Sequence, residues 1–93
     1  MEEELKYMFI HEKPVKILVK LQSPQEYYAS ALSTEIDATY SHTVKILQRL
    51  EEYELVEFEE RGRKKIVTLT EQGAKLAKIF TELMDEFEPR PSL

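Results

Sequence analysis

The sequence has no cysteine and no tryptophan, and only two glycines and two histidines. Without cysteine there is neither a disulfide nor a thiolate metal site. His11 and His42 stand far apart, with no other ligands at metal spacing, so no metal site is expected. No stretch approaches the roughly 20 apolar residues that a membrane span needs. The opening "MEEELKYMF" starts acidic, unlike a signal peptide, and a cytoplasmic location is expected. A cysteine nucleophile, a Ser–His–Asp pattern and a Gly-rich phosphate loop are all missing. The many glutamates read as solvated faces, so neither a catalytic role nor a cofactor is expected.

Basic excess is missing as well: the 93-residue chain carries a formal charge of −5. That total hides a partition. Residues 38–50 contain Lys45 and Arg49 and no acid, and residues 61–65 read "RGRKK", with Arg61, Arg63, Lys64 and Lys65. Six positive charges are thus gathered into two short stretches of an otherwise strongly acidic chain. Lys/Glu richness with few thermolabile residues is also the compositional trend of hyperthermophiles.

The length suits one domain. Residues 1–12 read as an N-terminal arm or short helix, with Leu5, Met8 and Phe9 at helical spacing. Pro14 then sits in the first turn of a core helix whose Val15, Leu18 and Val19 make one apolar face. "SPQE" at 23–26 fits a capping box. Tyr27 and Tyr28 instead favour a short strand near 27–29, with Ser30 capping a helix over about 31–36 that buries Leu32 and Ile36. A further helix runs from Tyr40 to about Tyr53, with Thr39 as N-cap and Thr43, Ile46, Leu47 and Leu50 inward. Two helices across so short a break form a helix-turn-helix candidate. "LVEFEERGRKKIVTL" is two β-rich runs around Gly62, hence a hairpin with the basic knot at its tip. Thr70 caps a final helix of about 17 residues, ended by Pro89 and Pro91. The expected fold is mainly α with a β-hairpin wing, in the order α-β-α-α-β-β-α: a winged helix-turn-helix core over 13–69, a terminal helix over 70–88 and a tail over 89–93.

Residues 30–76, "SALSTEIDATYSHTVKILQRLEEYELVEFEERGRKKIVTLTEQGAKL", resemble the MarR-like winged-helix regulators. The likeness rests on Ser30 and Leu32 in the second helix, and on Thr39 and Ser41 leading the recognition helix. It rests also on "LQRLEEYELV", the basic wing tip and "LTEQG". A small archaeal member fits the length and composition. The family often has glycine where this chain has Asp37 and Glu54, at positions that favour positive φ. The chain is shorter than a full-length MarR protein, with a reduced N-terminal part, so no effector pocket is carried over.

A recognition helix presents its N-terminal residues to base edges in the major groove. Tyr40, Ser41 and Val44 lie there, with Lys45 to meet guanine or a phosphate and Gln48 to meet adenine. Thr39 offers a phosphate its hydroxyl, and Arg49 and His42 reach toward the backbone. The resemblance implies that Arg61 and Arg63 enter the adjacent minor groove while Lys64 and Lys65 pair with phosphates. The plainer alternative is edge protection, with Glu59 and Glu60 pairing Arg63 or Lys65.

Leu76, Phe80, Leu83, Met84 and Phe87 form an apolar stripe that Leu5, Met8 and Phe9 can join. It points to a homodimer interface, although the helix can also fold back on its own domain. The expectation is a dimeric, sequence-specific regulator of double-stranded DNA, of the repressor type. Its rivals are a winged-helix adaptor that binds protein, favoured by the acidic total, and a small-molecule sensor.

Overall fold

Residues 11–87, described by the computed structural model, run α1 (Glu12–Lys20), β1 (Tyr27–Tyr28), α2 (Ala29–Glu35), α3 (Tyr40–Glu52), β2 (Val56–Arg61), β3 (Lys64–Leu69) and α4 (Glu71–Phe87). Leu5, Met8, Phe9, Pro89 and Pro91 lie outside the described residues, as does most of the expected arm and all of the tail. This is the expected winged-helix order.

Helix ends are set by identifiable residues. The Thr39 hydroxyl accepts the His42 backbone N–H at 3.1 Å and starts α3. Both α2 and α3 stop in the same way, with one residue turned left-handed: Asp37 at φ 54° and Glu54 at φ 60°. Paired bonds close each end, Ala38 N–H to Ser33 O and Asp37 N–H to Thr34 O after α2, and Leu55 N–H to Leu50 O and Glu54 N–H to Glu51 O after α3. These are Schellman ends, which normally use glycine. The positive φ expected at these two positions is therefore present, without the glycine.

Two boundaries differ from expectation. α2 begins at Ala29, not near 31, and its N-cap is Tyr28, in extended conformation and without a side-chain cap. The strand pairing fixes this: Tyr27 and Tyr28 pair with Val67 and Ile66, so the chain stays extended until Tyr28 and then turns at once into helix. Ser30 is thus inside the helix, where its carbonyl accepts the Ser33 hydroxyl at 2.6 Å. Ser23 caps no helix either; its hydroxyl accepts the Gln25 N–H within a loop.

The sheet order is β1-β3-β2, and the hairpin register pairs Arg61 with Lys64 across Gly62 and Arg63. Gly62 has φ 61° and Arg63 does not share the positive sign, the pattern of a two-residue II′ turn. β3 is the central strand, and Ile66 and Val67 are both buried where strict alternation would expose one of them. Ile17 and Leu18 of α1, Leu32 of α2, Leu47 and Leu50 of α3 and Val56 of β2 meet in the core.

The root of the wing is tied to α4. The Thr70 hydroxyl donates to the Glu54 carbonyl at 2.6 Å and accepts the Gly73 N–H at 3.0 Å. The Thr70 N–H donates to the Leu55 carbonyl at 3.1 Å. A Cβ on Gly73 would collide with that same carbonyl, so "TEQG" is a cap followed by the one residue small enough for this approach.

Candidate nucleic-acid interface

α3 separates its residues as its periodicity requires. Thr43, Ile46, Leu47 and Leu50 are buried, and the Thr43 hydroxyl is satisfied by the Thr39 carbonyl at 2.9 Å. Tyr40, Ser41, His42, Lys45, Gln48 and Arg49 are exposed, and Val44 is half-buried. Thr39 is exposed at the helix start, with its hydroxyl already engaged in the cap.

A hollow of about 570 Å³ lies between α3 and the wing. Tyr40, Val44, Gln48 and Glu51 form its helix side and Glu60, Arg63, Lys64 and Lys65 its wing side, with Glu60 opposite Lys65 in the hairpin register. On the other flank of α3, a hollow of about 710 Å³ is lined by His42, Lys45, Arg49 and Glu52 together with His11, Glu12 and Lys13 near the start of α1, so its basic groups are mixed with acids. Gln48 borders both. The basic residues therefore stand on both sides of the exposed crest of α3 rather than in one patch.

Arg61 belongs to neither hollow. Its guanidinium lies 2.8 Å from Glu26 and 3.5 Å from Glu59. Glu59 thus pairs within its own strand, not with Arg63 or Lys65. The pairs are half exposed and worth under about 1 kcal/mol, enough to bias Arg61 without locking it. The wing lysines are ordered by rings: Lys64 lies 4.7 Å from the centroid of Tyr28 and Lys65 5.9 Å from that of Phe58. Such cation–π contacts place the ammonium groups while leaving them charged. Tyr28 and Glu26 carry roles that periodicity did not reveal, because both act across the sheet on residues more than thirty positions away.

The neighbouring surface has the opposite sign. A hollow of about 880 Å³ beside β2 is lined by Glu51, Glu54, Glu57 and Glu71, with Lys75 the single cation among the described residues. Glu51 and Phe58 border both this hollow and the α3–wing one. On α1, the Lys16 ammonium at 2.8 Å holds the Glu12 carboxyl below its ordinary pKa by hydrogen bonding and charge.

On α4, Leu76 and Phe80 are half-buried against their own core, whereas Leu83 and Met84 are 49% and 39% exposed. Ile79, 58% exposed, extends this face and is not part of the stripe read from the sequence. None of the three hollows touches Phe80 or Met84. Among the described residues, no helix is long and apolar enough to cross a membrane, and no three His, Asp or Glu side chains are grouped to hold a metal ion.

A family model described as the DUF6293 C-terminal winged helix domain matches residues 10–81. An uncharacterized protein of Archaeoglobus fulgidus is 28% identical over 92 residues, spanning 95% of this chain and 97% of that protein. The crystal structure of AF1382, also from Archaeoglobus fulgidus, matches with a TM-score of 0.77 at 27% identity over 84% of this chain and 90% of that one. MepR, a transcription regulator of the Staphylococcus aureus multidrug efflux pump MepA, matches with a TM-score of 0.77 at 23% identity over 90% of this chain and 64% of its own. The MepR–DNA complex matches with a TM-score of 0.75 at 23% identity, over 91% of this chain and 73% of that one. At such identity the likeness to MepR is one of fold. It agrees with the winged-helix fold that the resemblance over residues 30–76 implied.

Proposed function

The chain belongs to the DUF6293 C-terminal winged helix family, and on that premise we propose that it binds double-stranded DNA as a homodimeric transcription regulator. The observation that carries this reading is the hollow in which the exposed face of α3 meets Arg63, Lys64 and Lys65. α3 enters the major groove, with Tyr40, Ser41, Val44, Lys45 and Gln48 toward base edges. The wing lysines hold phosphates and Arg63 reaches the neighbouring minor groove. His42 and Arg49 meet the backbone on the opposite flank, and the N–H groups near Thr39 face a phosphate. That MepR, of the same fold, has been crystallised with DNA supports this reading.

Ile79, Leu83 and Met84 supply the face on which a second copy packs, and Phe87 continues that stripe in sequence. Two-fold pairing sets the recognition helices about one duplex turn apart, matching half-sites roughly 10 bp between centres. Seated on a promoter, it acts most simply by excluding polymerase, as a repressor.

Fluorescence anisotropy with a random-sequence duplex across a salt series tests the reading. Micromolar binding at low salt that weakens steeply as salt rises is expected. Absence of binding at the lowest salt overturns it, and makes the wing a surface for a protein partner.

A further inference from the structure

The surface proposed to face DNA is polar and charged except at one place. Tyr40 is 59% exposed at the first turn of α3, and Val44 lies half-buried one turn along; both line the α3–wing hollow. The other large exposed apolar side chains among the described residues, Ile79, Leu83 and Met84, are all on α4. The Tyr40–Val44 patch is therefore separate from the proposed dimer face. In the major groove, base pairs display hydrogen-bond donors and acceptors and a single apolar group, the thymine C5 methyl. We propose that Tyr40 and Val44 form a thymine-methyl contact, so that each operator half-site carries a thymine at the position facing them. The inference rests on the DNA-binding reading above.

The surrounding chemistry makes this contact informative. Arg63, Lys64 and Lys65 add affinity for any duplex, because phosphates are the same at every sequence. The Tyr40 ring and the Val44 methyls, pressed against the groove floor, gain most where a methyl group fills the contact, while the Tyr40 hydroxyl keeps its own hydrogen-bonding capacity. Elsewhere the ring and methyls cover polar base edges and leave them unpaired. Discrimination then comes from the helix and strength from the wing.

The test takes an operator selected from a random library and replaces each thymine in turn by deoxyuridine, which removes only the methyl. At one position per half-site the replacement should weaken binding about fourfold, the effect of one buried methyl-sized group. The slope of affinity against salt should stay unchanged. Val44→Ala should bind the thymine and uracil duplexes alike at that position. If every uracil duplex binds as well as its thymine parent while salt-dependent binding persists, the methyl contact is overturned and the DNA-binding reading stands. If no duplex is bound, both fall. The base replacement decides the matter even if the Val44 variant folds poorly.

Discussion

Two arginines two positions apart have different surroundings. Arg61 is held between Glu26 and Glu59, whereas Arg63 lines the α3–wing hollow with no carboxylate partner among the described residues. Arg63→Ala should weaken binding to all sequences and reduce the salt slope by about 0.9 for each phosphate that is no longer neutralised. Arg61→Ala should change the slope less, and Glu26→Gln should steepen it by loosening Arg61. Anisotropy salt series on the three variants check this. Equal weakening for both arginines would mean that Arg61 leaves its carboxylates when DNA arrives. Sequence spacing places both residues at the tip. It is silent on their difference, because the partner that distinguishes them is 35 positions away.

At the scale of elements, the junction of α3, the wing and α4 depends on two backbone facts. Gly73→Ala drives a methyl into the Leu55 carbonyl and should cost about 3 kcal/mol, lowering Tm by roughly 10 °C or more. Glu54→Gly should act in the opposite sense, by up to about 1 kcal/mol, since glycine relieves the left-handed φ and the capping bonds there use only the backbone. Thermal unfolding by circular dichroism measures both. If Glu54→Gly lowers Tm, the exposed Glu54 side chain contributes more than its backbone strain costs. Much at this scale is legible in the sequence. Thr39 and Thr70 caps, the inward face of α3 and the Gly62 turn are local chemistry. The start of α2 is not, because a tertiary pairing, Tyr28 with Ile66, overrides the capping preference of Ser30. Ile79 escapes notice because it sits at the edge of the stripe through Leu76, Phe80 and Leu83, and only packing shows which edge stays open.

At the scale of the whole molecule, the open face of α4 meets the requirement of the proposed dimer. Ile79→Glu combined with Leu83→Glu places like charges on that face. It should give monomers by sedimentation equilibrium and weaken operator binding roughly 10²-fold, as one half-site loses the help of the other. An unchanged sedimentation mass would move the interface elsewhere. Charge changes along the wing: Arg63, Lys64 and Lys65 stand at its tip with Glu60 in the same hollow, while Glu54, Glu57 and Glu71 line the hollow beside β2. On the proposed DNA-binding reading, the basic tip is drawn toward phosphates and the acidic surface below it is repelled by them. The wing would then act as a depth gauge as well as an anchor, its length and its change of sign limiting how far the helix beside it enters the groove.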